Sequence, residues 1–98
     1  MGADDRAMDD DAVAAILASI GSQIREARKA RSWHLSDVAE RVGVSQSVVC
    51  RMELARREPS FHQVICTCAA LGMRLSSVLR QAEDDAFPLG RAPWEQPI

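Results

Sequence analysis

The sequence predicts an all-α domain, a compact bundle of five helices with an extended first helix and an irregular C-terminal tail. Apolar residues recur at three- and four-residue intervals through most of the chain, which is the spacing of one helix face. No run of alternating apolar and polar residues indicates a strand. We divide the 98 residues into an acidic flexible N-terminus (1–10), one helical domain (11–84) and a tail rich in proline and glycine (85–98).

The first helix is predicted over residues 11–31. Asp9, Asp10 and Asp11 stand at its start, and acidic side chains favour a helix N-terminus through the macrodipole. Gly21 weakens a helix by about 1 kcal/mol relative to alanine, so it marks either a kink or the start of the core domain. The apolar positions of this helix are Val13, Ile16, Leu17, Ile20, Ile24 and Ala27.

Two short helices follow, over residues 35–42 and 46–54. The first ends at Gly43, because glycine accepts the positive φ that commonly ends a helix. The second begins after Ser45, a favourable N-cap residue. Their inward positions are Leu35, Val38, Ala39, Val42, Val49 and Met52.

The fourth helix begins at Ser60 and ends at Gly72. Ser60 and Gln63 have the spacing of a capping box. The apolar stripe predicted for this helix is Phe61, Val64, Cys68 and Leu71. A fifth helix is predicted over 75–84, with Leu75, Val78, Leu79 and Ala82 inward, before the irregular tail begins at Asp85.

The stretch VAERVGVSQSVVCRME, residues 38–53, joins two of these helices through one glycine. Gly43 allows a sharp turn, and Ala39 is small enough for the two helices to cross closely. Apolar anchors recur at fixed offsets: Val38, Val42, Val44, Val49 and Met52. A pair of this kind lifts its second helix clear of the body, so that the helix can enter the major groove of DNA.

From Ile20 to Leu79 the chain resembles the lambda-repressor-like (Xre/Cro) helix-turn-helix family of DNA-binding regulators, over about 60 of 98 residues. The resemblance rests on four segments in order: IGSQIREARKARSW, LSDVAERVGVSQSVVCRME, EPSFHQVICTCAALG and LSSVLR. It implies a bacterial transcriptional regulator, a homodimer that binds double-stranded DNA at a palindromic operator. One variant of this function is an antitoxin that represses its own operon. An alternative of a different class is an adaptor that uses the fold to hold a protein partner and has little DNA affinity.

The resemblance also implies roles for individual residues. The third helix would be the recognition helix, in which glutamine can pair with adenine and arginine with guanine. Its base-reading candidates are Ser45, Gln46, Ser47, Val48, Cys50 and Arg51, and the phosphate-binding candidates are His34, Arg56, Arg57 and Ser60. The alternative for Gln46 and Ser47 is a solvated helix start, and for Arg51 it is a phosphate contact or an ordinary surface arginine. For Arg56 and Arg57 the alternative is a basic loop that aids solubility.

Four residues are expected to be structural. Arg28 and Glu53 match a family pair that joins the first helix to the end of the third, and Ala39 and Gly43 shape the turn. Ala55 stands where the family commonly has glycine, which leaves the path of the following loop open.

The charge distribution is uneven, although the net charge is only −2. Residues 22–57 contain eight basic and four acidic residues, whereas both flanking segments are acidic. The middle third could therefore approach a polyanion, or it could be an ordinary solvated surface.

The extended first helix and the tail predict contacts with other chains. Val13, Ile16, Leu17 and Ile20 form a stripe that a homodimer would bury. Phe87 and Trp94 lie among prolines and suggest docking on a partner protein, unless Trp94 folds back onto its own domain.

Several classes of function find little support. Three cysteines, without a C-x-x-C pair, favour neither a disulfide framework nor a metal site, although an oxidation switch at Cys50 is an alternative. We expect no enzyme activity and no cofactor, since no catalytic constellation is present. No apolar run is long enough to span a membrane, so we expect a cytoplasmic, nucleoid-associated protein.

Overall fold

A computed structural model describes residues 9–88 and 92–95. Its five α-helices are α1 (Asp10–Ala30), α2 (Leu35–Val42), α3 (Gln46–Glu53), α4 (Phe61–Ala70) and α5 (Leu75–Ala86), and Pro93–Glu95 forms a 3₁₀ turn. These ranges contain no strand, so the predicted all-α class is confirmed. Most of the N-terminal segment that was predicted to be flexible, residues 1–8, lies outside the described residues.

α1 is one continuous helix of 21 residues. The Asp9 side chain caps it, because Asp9 Oδ1 accepts a hydrogen bond of 2.8 Å from the Ala12 N–H. The helix passes through Gly21, so this glycine does not mark its start. A Cβ at Gly21 would lie 2.5 Å from the Met52 carbonyl oxygen and 2.6 Å from that of Glu53. Glycine is therefore required here because the end of α3 approaches the backbone of α1.

The core lies where α1 and α5 meet the three shorter helices. Its buried side chains come from every α-helix: Ile20, Ile24, Val38, Ala39, Val49, Met52, Val64, Cys68, Leu71, Val78 and Ala82. α1 and α5 run antiparallel. Gln23 donates to the Val78 carbonyl at 3.0 Å, whereas Ser19, one turn earlier, donates to Asp85 Oδ2 at 2.7 Å.

Two predictions at the C-terminal half are corrected. Phe61 is 60% exposed and does not belong to the apolar stripe of α4, which consists of Val64, Cys68 and Leu71. Phe61 is the first residue of α4, and at this position the helix has not yet reached the core. α5 continues to Ala86, two residues beyond its predicted end, and Pro93–Glu95 forms a 3₁₀ turn in the tail that was expected to be irregular.

A cluster around Trp33 connects the loop after α1 to α2 and α4. The guanidinium carbons of Arg41 and Arg31 lie 4.2 and 5.2 Å from the centre of the Trp33 ring. Arg31 also donates two hydrogen bonds, of 2.8 and 3.1 Å, to the Leu71 carbonyl at the end of α4. These contacts hold the loop after α1 against α2 and against the end of α4.

Candidate nucleic-acid interface

The turn between α2 and α3 has the predicted form. Gly43 adopts φ +83°, a left-handed conformation that favours glycine. The backbone N–H groups of Gly43 and Val44 both donate to the Ala39 carbonyl, at 2.8 and 3.0 Å. Ala39 itself is only 5% exposed, as expected for a small residue at a close helix crossing. The chain thus turns tightly between α2 and α3.

α3 has a buried side and an outer side. Val49 and Met52 are buried and fix the helix to the core. Gln46 and Ser47 are exposed at the start of the helix, and Arg51 is half-buried one turn further along. Ser45 Oγ accepts a hydrogen bond of 3.3 Å from the Val48 N–H, so its side chain caps the helix as predicted.

Val48 and Cys50, two further base-reading candidates, are less accessible than Gln46 and Ser47. Both are half-buried, and Val48 packs against the hydrophobic core. The surface that is fully open to a ligand at the start of α3 is therefore polar rather than apolar.

A shallow basic cleft of about 120 Å³ lies between α3 and the start of α4. Three arginines line it, namely Arg51, Arg56 and Arg57, with Gln63 and one acidic residue, Glu58, beside them. The sequence assigned Arg51 to base reading and the other two arginines to phosphate contact. The fold brings all three together, which produces a local excess of positive charge where a polyanion could bind.

The loop after α3 has an unusual backbone. Ala55 and Arg57 adopt φ values of +56° and +62°, in the left-handed region that non-glycine residues seldom occupy. The Arg56 N–H donates to the Arg51 carbonyl at 2.9 Å and closes the helix end. Ala55 therefore follows the path that a glycine would take, and the strained loop directs Arg56 and Arg57 to the cleft.

Ser60 and His34, the other phosphate candidates, both stand at helix starts and are exposed. Ser60 Oγ accepts a hydrogen bond of 3.0 Å from the Gln63 N–H. The His34 N–H donates to Asp37 Oδ2 at 2.7 Å, so Asp37 caps α2 from within the first turn. Sequence reasoning missed Asp37, although an acidic residue three positions after an N-cap is a known capping signal.

The predicted pair of Arg28 and Glu53 is present. Arg28 Nε lies 2.7 Å from Glu53 Oε2 and Nη2 lies 3.0 Å from Oε1, which is a bidentate arrangement. Arg28 Nη1 also donates to the Trp33 carbonyl at 2.9 Å. The two side chains are 13% and 5% exposed, and the hydrogen bonds to Glu53 raise the pKa of Arg28 above its ordinary value. The pair fixes the end of α3 to α1.

The candidate contact residues on α1 are not equally available to a partner. Val13 is 37% exposed, whereas Ile16 and Leu17 are half-buried. The prediction for Ile20 as a surface contact is wrong, because Ile20 is 6% exposed and belongs to the core. The sequence could not show that α5 covers this part of α1.

The two tail aromatics contact each other. The ring centres of Phe87 and Trp94 lie 5.5 Å apart in an edge-to-face arrangement. Trp94 nevertheless remains 58% exposed. Trp94 thus packs against Phe87, directly after α5, and still leaves part of the indole accessible to a partner.

The cysteines are all free thiols. Cys68 is buried, and burial raises the pKa of its thiol, which makes it a poor nucleophile. Cys50 is half-buried, and Cys66 lies beside His62 on α4. Within the described ranges, no three His, Cys, Asp or Glu side chains are grouped to hold a metal ion.

Comparison with known proteins identifies a family for this chain. The family model described as a helix-turn-helix domain matches residues 19–81, more than half of the chain. No curated protein and no solved structure matches. None of the described helices has the length and hydrophobicity needed to cross a bilayer.

Proposed function

The chain belongs to the helix-turn-helix domain family, whose members are typically DNA-binding and non-enzymatic. We propose that it is a sequence-specific transcriptional regulator of the lambda-repressor-like (Xre/Cro) type. The observation that carries the proposal is the outer face of α3. Gln46 and Ser47 are free of the core there, and Arg51 lies one turn further along beside a basic cleft.

Base recognition is assigned to the first two turns of α3. The side chain of Gln46 can donate to and accept from adenine, and Arg51 can donate two hydrogen bonds to guanine. Ser47 contributes a hydroxyl that suits either a base edge or a phosphate. Ser45 holds the helix start through its cap and acts mainly by positioning Gln46 and Ser47.

Phosphate binding is assigned to the basic cleft and to the adjoining helix starts. Arg56 and Arg57 lie on its wall, and Ser60 begins α4 beside it. Guanidinium groups and the unpaired N–H groups of a helix N-terminus both favour an anion. His34, at the start of α2, is a further phosphate contact in this proposal.

The regulator is proposed to act as a homodimer on a palindromic operator. Two copies would place their recognition helices in successive major grooves, about 34 Å apart. On α1, the residues that remain available for such a contact are Val13, Ile16 and Leu17. An antitoxin that represses its own operon would use the same DNA-binding surface.

One observation favours the adaptor function instead. Trp94 exposes 58% of its surface in a chain with a net charge of −2. An exposed tryptophan can anchor a protein partner, since tryptophan is enriched in binding hot spots.

Selection from a random DNA pool tests the proposed function. The full chain should enrich a two-fold symmetric motif whose half-sites are centred about 10 base pairs apart. The double variant Gln46→Ala/Ser47→Ala should enrich a different motif or none. A pool that shows no enrichment with the wild type, together with capture of a defined protein through Trp94, would establish the adaptor function.

A further inference from the structure

The outer face of α4 lacks charge. The helix FHQVICTCAA contains no Asp, Glu, Lys or Arg, whereas each of the other four α-helices contains both acidic and basic residues. Phe61 and Ile65, one turn apart, are 60% and 41% exposed. Depletion of charge around exposed apolar side chains is characteristic of the centre of a protein interface.

Two metal-binding side chains share this face. Cys66 Sγ lies 3.9 Å from both Nδ1 and Nε2 of His62. In a tetrahedral zinc site, bond lengths of about 2.3 Å to sulfur and about 2.05 Å to nitrogen place the two donor atoms about 3.6 Å apart. A small change of side-chain torsion would therefore let both residues bind one Zn²⁺ ion.

One chain supplies only half of such a site. A structural zinc ion takes four protein ligands, and no third His, Cys, Asp or Glu joins this pair among the residues that the structure describes. The same two residues of a second copy would complete a Cys₂His₂ set. Each thiol would release its proton to solvent on binding, so two thiolates would balance the charge of Zn²⁺.

A second copy also suits the rest of this face. In a two-fold dimer a surface meets its own copy, so every charge at its centre faces a like charge. The uncharged face of α4 avoids that repulsion, and Phe61 and Ile65 alternate with His62 and Cys66 along it. We propose that Zn²⁺ joins two copies of this protein through His62 and Cys66 of each α4, with Phe61 and Ile65 buried around the ion.

Mass and metal content test the proposal directly. The reduced chain of 98 residues and 10.8 kDa would be measured by light scattering in EDTA and then with added Zn²⁺. We expect the mass to double relative to EDTA at half an equivalent of Zn²⁺ per chain, and to return to its starting value with excess EDTA. With Co²⁺, a thiolate-to-metal charge-transfer band should saturate at the same stoichiometry.

Matched variants identify the ligands. Cys66→Ser and His62→Ala should both lose the Zn²⁺-dependent doubling while keeping the far-ultraviolet circular dichroism of the wild type. Cys50→Ser, which removes the other half-buried thiol, should retain the doubling. Arg51→Ala should retain it too, which separates this proposal from DNA recognition by α3.

Three results would overturn the proposal. They are a mass that does not change with Zn²⁺, binding of one full equivalent per chain without doubling, and doubling that survives Cys66→Ser.

Discussion

Besides its buried Val49 and Met52, α3 is attached to α1 at its C-terminal end by contacts of a different kind from those between α1 and α5. The end of α3 is held by one buried bidentate ion pair, Arg28 with Glu53, and by direct backbone approach at Gly21. α1 and α5 are held by apolar side chains along their length, with hydrogen bonds from Ser19 to Asp85 and from Gln23 to the Val78 carbonyl.

This difference bears on function. Apolar contacts tolerate many substitutions provided that volume is conserved, whereas an ion pair and a backbone contact fix position and leave little room for adjustment. The face that is proposed to meet DNA therefore depends on a few individual residues. Substitutions at the α1–α3 junction should cost more than substitutions at the α1–α5 rim.

Arg28→Ala should cause the largest loss of stability. The change leaves the Glu53 carboxylate buried without its partner, which typically costs about 3–5 kcal/mol. Chemical denaturation would measure the free energy of unfolding, with Arg25→Ala, an exposed arginine on the same helix, as the control. A loss no larger than that of Arg25→Ala would show that the ion pair does not hold α3.

Gly21→Ala should cause the next largest loss of stability. Alanine normally stabilises a helix interior by about 1 kcal/mol relative to glycine. Here its Cβ would meet two backbone oxygens at 2.5 and 2.6 Å, and overpacking of this kind costs about 1–3 kcal/mol. Ser22→Ala, at the exposed neighbouring position, should be neutral or stabilising. If both variants were stabilised in thermal unfolding, the close approach of α3 would be refuted.

Thr67→Val tests the core into which all five helices pack, and it should raise stability. Thr67 is fully buried, and its Oγ1 has no hydrogen-bond partner among the described residues. Replacing the hydroxyl by a methyl group removes an unsatisfied polar atom and should gain about 1 kcal/mol. Thr67→Ser keeps the hydroxyl and loses the methyl group, so it should be destabilised. A loss of stability in the valine variant would indicate that a water or a polar group satisfies Oγ1.

Asp85→Asn should have the smallest effect on stability, and the size of that effect should depend on pH. Hydrogen bonds from Ser19 and then Gln81 lower the pKa of Asp85. A carboxylate with a lowered pKa stabilises the fold above its unfolded pKa of about 3.9 and loses that contribution as pH falls through the folded value. The difference in unfolding midpoint between wild type and variant should be present at pH 7 and vanish in strong acid. A difference that persists unchanged at pH 2 would contradict this role.

The helices and the turn could be predicted because their signals are local. Spacing of apolar residues identified all five helices, and Gly43 identified the turn with its positive φ. The pair of Arg28 and Glu53 was predicted from family resemblance, since 25 residues separate them in sequence.

The remaining features depend on what lies opposite each residue in space. Glycine is needed at position 21 because the backbone of α3 lies against it. Ile20 is buried by α5 rather than free for a partner. Phe61 has the right spacing for the stripe of α4 but lies beyond the end of the core. The clustering of Arg51 with Arg56 and Arg57 depends on the path of the loop after α3, where Ala55 has a positive φ, and the sequence left that path open.

The central claim is that α3 reads bases, and DNA binding by two variants tests it. The first is Arg51→Ala, and the control is Arg80→Ala, which removes an exposed arginine on α5. Fluorescence anisotropy would compare DNA that carries the selected motif with scrambled DNA, at several salt concentrations. We predict that Arg51→Ala reduces the preference for the motif by about 5- to 150-fold, the equivalent of about 1–3 kcal/mol, and that Arg80→Ala leaves it unchanged. Equal weakening on both DNAs by Arg51→Ala, with the preference intact, would contradict base reading by Arg51.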